Sequence, residues 1–231
     1  RADIARRVTF ASHQNDVAVI LDLSVRNGSD ADVEDLELEI TSDPALLGAR
    51  RWRIDRIVAG GEVGIQDRRT PLEGGFLHGL NEAMQGEVRL TLRQGEHVLA
   101  EHGAPITALA RNEWGGARHM PELLAAFVTP NDPAVSRLLK DAASILKSAG
   151  RNSAIDGYES RSRTRVWELA SAIWAAVCGR GITYALPPAS FEREGQKVRL
   201  PSDIEGQGLA TCLDTTLLFA AALEQAGLKP I

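Results

Sequence analysis

The sequence predicts two domains in tandem, a β-rich half over residues 1–112 and a mainly helical α+β half over residues 113–231. Three observations predict this. Apolar and polar residues alternate at period 2 in short runs through the first half. In the second half apolar residues recur at helical spacing, and Glu113-Trp114-Gly115-Gly116 separates the two regimes. The chain has 231 residues, 44% hydrophobic and 25% charged, enough for two ordinary cores and too apolar for a disordered chain.

The strands follow in order. From Val17 to Val25 every odd position is apolar, the mark of one buried face, and Asn27-Gly28 marks a turn. Leu36, Leu38 and Ile40 alternate with Glu37 and Glu39; Trp52 and Ile54 alternate with Arg53 and Asp55. Gly60-Gly61 breaks the chain before Val63-Gly64-Ile65. Val88, Leu90 and Leu92 alternate with arginine and threonine, and Gln94-Gly95 turns the chain into His97-Val98-Leu99-Ala100. Pro105 to Ala110 supplies a last strand, while Leu72 to Met84 does not alternate and reads as a long loop or short helix. Seven or eight short strands with regular turns predict an all-β immunoglobulin-like sandwich over residues 1–112. No cysteine pair staples it, so Trp52 and the aliphatics must fill its core.

The helices follow. Pro121 opens a short helix to Val128. Asn131-Asp132-Pro133 opens a longer one with Val135, Leu138, Leu139, Ala142, Ile145 and Leu146 at helical spacing, ending at Gly150. A third runs from about Thr164 to Cys178, with Val166, Trp167, Ala170, Ile173, Trp174 and Val177 expected on one side. Ile182-Thr183-Tyr184 reads as a short strand and Pro187 to Pro201 as an irregular arm. The last helix runs from Cys212 toward Gly227, where glycine supplies the stop.

Charge excludes some functions. Residues 1–112 hold 13 arginines, no lysine and 18 acids, a net −5, while residues 113–231 balance 13 bases against 13 acids. Neither half has the basic excess of a nucleic-acid surface, so direct nucleic-acid binding is not expected. No apolar run reaches a membrane span and no signal peptide is visible. Two cysteines make no disulfide framework, so a reducing, cytoplasmic setting is expected. No phosphate loop, dinucleotide fingerprint or metal-ligand spacing occurs, and no cofactor is expected.

The chemistry gathers at Gly206-Gln207-Gly208-Leu209-Ala210-Thr211-Cys212-Leu213-Asp214. Thr211 and Asp214 have the spacing of a capping box, which puts Cys212 at the first helical position. A thiol there lies at the positive end of the helix dipole, which favours the nucleophilic thiolate, and Asp214 partly opposes this. Against this stands the bland alternative, at even weight, that a lone cysteine beside an apolar helix is a small core residue. Cys178, at the end of its helix, reads as packing. Gln207, five residues before Cys212, is the candidate oxyanion donor, and Gln196 is a second one if the arm folds back; each is more often a structural hydrogen bonder. The pair His97 and His102 lacks further ligands, and Arg161, Arg163 and Arg165 read as a solvated basic cluster.

Cys212-Leu213-Asp214-Thr215-Thr216-Leu217-Leu218-Phe219-Ala220-Ala221-Ala222-Leu223 resembles the nucleophile helix of the transglutaminase-like superfamily. Together with Gly195 to Pro201 and Glu122 to Asn131, it is similar to a bacterial group in which a β-sandwich and a transglutaminase-like domain precede helicase-related domains. The resemblance implies a papain-like fold for residues 113–231, with a Cys-His-Asp triad. It implies that Cys212 attacks an acyl carbonyl to form a thioester, as in a cysteine peptidase. It also implies a protein or peptide substrate and helicase-type domains downstream in a parent protein.

In that family the histidine and aspartate follow the nucleophile helix. Here the five histidines end at His119, leaving none in the last 112 positions. The chain, which begins at Arg1, is therefore expected to be the N-terminal part of a longer protein and inactive by itself. The first missing strand would begin at Ile231. The competing expectation is a non-catalytic protein-binding or recognition module. A domain that ends before its sheet strands is expected to expose apolar surface and an unpaired edge, which predicts a homodimer or swapped contact, or a loosely ordered C-terminus.

Overall fold

A computed structural model of the chain describes residues 1–230; Ile231, where a strand was expected to begin, lies outside the described residues. The chain divides into two compact units, Arg1–Gly115 and Gly116–Ile231.

The first unit contains β1 (Ala2–Ile4), β2 (Arg7–Val8), α1 (Phe10–Gln14), β3 (Ile20–Arg26), β4 (Val33–Asp43), β5 (Arg50–Ile57), β6 (Glu62–Gly64), α2 (Gly74–Gly79), β7 (Met84–Gln94), β8 (His97–Ala108) and β9 (Glu113–Trp114). Five strands form a mixed sheet in the order β2-β8-β7-β4-β5, and β1-β3-β6 form a second, antiparallel layer. Alternation builds the larger sheet. Leu38 stands opposite Trp52 and Leu92, and Ile40 opposite Leu90, on the inner face. Glu37 stands between Arg53 and Arg93 on the outer face, and Glu39 beside Arg51. Glu39 accepts a hydrogen bond from Arg51 and holds that guanidinium above its usual pKa. Ile40, Leu46, Ile57, Leu77, Val88 and Ile106 are fully enclosed in the core.

The fold class differs from the sequence expectation. The whole chain is mixed α/β, 32% helix and 29% strand, with a curled mixed sheet, rather than an all-β immunoglobulin-like sandwich followed by a mainly helical, truncated transglutaminase-like α+β domain. Three features account for the difference. β2 pairs with β8 in parallel, so the sheet is not the antiparallel ladder of a sandwich. Thr9 and Ser12 form a reciprocal capping box that starts α1 inside the strand region. β1 and β6, at three residues each, make the second layer too short for a sandwich half.

The second unit contains a 3₁₀ turn (Glu122–Phe127), α3 (Pro133–Ser148), α4 (Arg163–Cys178), β10 (Thr183–Tyr184), α5 (Phe191–Glu194), β11 (Gln196–Lys197), α6 (Pro201–Gln207), β12 (Leu209–Ala210) and α7 (Cys212–Gln225). Asp132 caps α3, its carboxylate accepting the Ala134 N–H, with Pro133 at the first position. Val135, Leu138 and Ala142 of α3, Leu169 and Ile173 of α4, and Leu218, Ala221 and Ala222 of α7 share one core. The face of α4 turned inward carries Leu169, Ala172, Ile173, Ala176 and Val177, while Trp167 and Trp174 lie outside it, 73% and 60% exposed. The expected side of this helix was therefore rotated from the true one. Arg165 is no solvated base: its side chain is 8% exposed. It binds the Asp156 carboxylate at 2.9 Å, Glu168 at 3.3 Å and the carbonyls of Asn152 and Ala154. The loop before α4 is thereby pinned to the helix.

Candidate functional site: the thiol on the first turn of α7

Thr211 has extended backbone angles, and its Oγ1 accepts the N–H of Asp214 at 3.2 Å. Asp214 Oδ2 accepts the N–H of Thr211 at 2.9 Å in return. This reciprocal pair starts α7 at Cys212. Asp214 is fully enclosed, at 0% exposure. A buried carboxylate needs further donors, and Arg199 supplies two: its backbone N–H reaches Oδ1 at 2.9 Å and its Nη1 reaches Oδ2 at 3.2 Å.

The arm before α6 does fold back. Gln196, 4% exposed, donates from Nε2 to Thr211 Oγ1 at 2.9 Å. Its other amide atom, Oε1, is buried without a hydrogen-bond partner. The fold-back depends on Gly116, whose φ of +82° and closeness to the backbone of Arg193 and Gly195 exclude a Cβ. Gln207 ends α6 and is exposed; its Oε1 accepts from Arg199 Nε at 3.3 Å. The structure thus places Gln196 against the residue before Cys212 and ties Gln207 to Arg199. The sequence offered Gln196 only on condition that the arm folds back and named no partner for it.

Gly208 closes α6 at φ +64°, and β12 then pairs in parallel with β10, Thr183 opposite Leu209. Cys212 emerges from this turn exposed, as is Cys178, and both are free thiols. The Cys212 carbonyl accepts the hydroxyls of Thr215 at 3.0 Å and Thr216 at 2.8 Å. Among the described residues, no acceptor is bonded to the backbone N–H of Cys212 or Leu213, so two first-turn donors stay free beside the sulfur. Such donors can bind an oxyanion that develops on a carbonyl oxygen when its carbon is attacked by Sγ.

Among the described residues no histidine or carboxylate is hydrogen-bonded to the Cys212 sulfur. His119 is the only histidine of the second unit, and its Nε2 lies 3.6 Å from Glu194 Oε2. Among the described residues no hydrogen bond joins it to Cys212. A cavity of about 160 Å³ lies under the α6–β12 turn, lined by Leu138, Ile204, Gly208 and Leu218, with Arg180 and Glu205 among its walls. Glu205 accepts from both Arg137 and Arg180; the Arg137 guanidinium first, then Arg180, holds its carboxyl below the usual range.

Among the described residues no cluster of three or more His, Cys, Asp or Glu could hold a metal ion, and no helix is long and apolar enough to cross a membrane. No family model, no curated protein and no solved structure matches this chain.

Proposed function

We propose that Cys212 is the nucleophile of a thiol-dependent acyl-transfer or peptidase-like site acting on a protein or peptide amide. The observation that supports this is an exposed sulfur fixed at the head of a 14-residue helix, beside two unspent backbone donors. The likeness of the Cys212 segment to transglutaminase-like nucleophile helices supports the reaction class. The Cys212 sulfur adds as thiolate to the amide carbonyl carbon, and the oxyanion forms near the Cys212 and Leu213 N–H groups. The C–N bond breaks, the amine leaves with a proton from a general acid, and a thioester remains. Water or a second amine then takes the acyl group and frees the thiol. Among the described residues no imidazole is bonded to Cys212, so on this reading the acid–base group comes from another segment or chain, and the isolated chain does not turn over.

The test is competitive alkylation of the two exposed thiols at neutral pH, with the labelled sites located by peptide mass. Cys212 is expected to react faster than Cys178, by about two- to fivefold, from its place on the helix dipole. Equal rates would remove the support. Amide hydrolysis by the isolated chain that survives Cys212→Ala would defeat the reading outright.

A second reading is a non-catalytic recognition module, and one observation favours it: His119 is engaged with Glu194. It predicts that Cys212→Ala leaves partner binding unchanged.

A further inference from the structure

We infer that the uncharged face shared by α4 and α7 is the contact between two copies of this chain. On α4 the exposed positions Trp167, Trp174 and Cys178 follow one another at seven and four residues, a single helical stripe. On α7 the exposed Cys212 and the half-buried Phe219 and Leu223, which also pack against the core, repeat the same spacing. Trp174 and Phe219 join the stripes edge to face, ring centres 5.9 Å apart at 89°. No Asp, Glu, Lys or Arg stands at any of these six positions.

Area and charge select the occupant. At 73% and 60% exposure the two tryptophans alone leave about 300 Å² of surface in water, taking about 250 Å² for a whole tryptophan. One side of a standard interface covers about 800 Å², of which somewhat over half is apolar, about 450 Å². Two tryptophans therefore supply about two thirds of the apolar area that one partner needs, and the smaller residues around them supply the rest. A two-fold contact brings each residue near its own copy or its neighbours, which sets like charge against like in a charged stripe. These six positions carry none to repel, and the nearest charges, Arg163 one turn before Trp167 and Glu224 beside Leu223, lie at the edge of the stripe. Centred on the two tryptophans, the contact leaves Cys212 at its rim, and it does not depend on the chemistry of that thiol.

Light scattering and sedimentation equilibrium on the full chain, from about 1 to about 100 µM, test this. The expected mass is twice 24.9 kDa at the upper concentrations. Tryptophans at interface centres are the usual anchors, so Trp167→Glu with Trp174→Glu should weaken the dimer at least about thirtyfold and leave a monomer with unchanged far-ultraviolet circular dichroism. If the double variant loses its fold, Trp167→Glu alone, at the more exposed of the two positions, carries the test. A wild-type monomer throughout, or a dimer as tight in the folded variant as in the parent, overturns the proposal.

Discussion

Replacing Asp214 by alanine removes one carboxylate and frees three donors. Thr211 N–H and Arg199 N–H lose their acceptor, and Arg199 Nη1 loses its ion-pair partner. The three do not weigh equally. Thr211 is buried, so its stranded N–H costs about 2 kcal/mol. The part-buried Arg199 N–H, left without its acceptor, adds about 1 kcal/mol. The Arg199 side chain is one-third exposed and regains water, so its pair adds little. The sum is about 3 kcal/mol, or roughly a 10 °C lower Tm for a unit of this size. Urea unfolding followed by circular dichroism measures it, with an unchanged m-value showing that the unfolded state is the same. Asp214→Asn keeps the shape and one acceptor but turns an N–H₂ toward a donor, so it should recover only part of the loss. A loss under about 1 kcal/mol for the alanine variant would refute the reasoning, because the first turn would then stand without its buried acceptor.

Two further outcomes follow from other ties. Arg165→Met should cost about 3 kcal/mol, since it leaves Asp156 and two carbonyls unpaired, and limited proteolysis should then cut faster between residues 151 and 162; unchanged cleavage would count against the latch. Glu205 has its carboxyl pKa depressed by Arg137 and then Arg180, so its pairing adds stability above the ordinary glutamate pKa, and that stability is lost as pH falls through the depressed value. Glu205→Gln should therefore flatten the acid limb of the thermal stability curve below about pH 4.3, and an identical limb in both proteins would exclude this.

Much of the larger sheet could be read in advance because its outer face meets water: Glu37 and Glu39 between Leu36, Leu38 and Ile40 leave one register. The start of α7 was equally legible, since a capping box is a local code written in Thr211 and Asp214. Three features were not. The parallel contact of β2 with β8 spans about a hundred residues and leaves no local trace in Arg7-Val8. The face of α4 is not legible from spacing, because apolar Trp167 and Trp174 face out while Leu169, Ala172 and Ala176 fill the core. The partners of Gln196 and Arg199 depend on how the arm returns, which residue spacing does not specify.

The two ties from the arm to α7, Gln196 to Thr211 and Arg199 to Asp214, each close a ring of fifteen residues onto the same helical turn. Once the first ring is closed, the second needs almost no further loss of chain entropy, so the two close and open together. The arm and the head of α7 therefore behave as one opening unit in hydrogen exchange, whose protection should fall in step from Gln196 to Asp214. Anything that strips the arm away also releases the cap that positions Cys212. The thiol's setting is then a property of a cooperative segment, switched on or off as a whole rather than adjusted residue by residue.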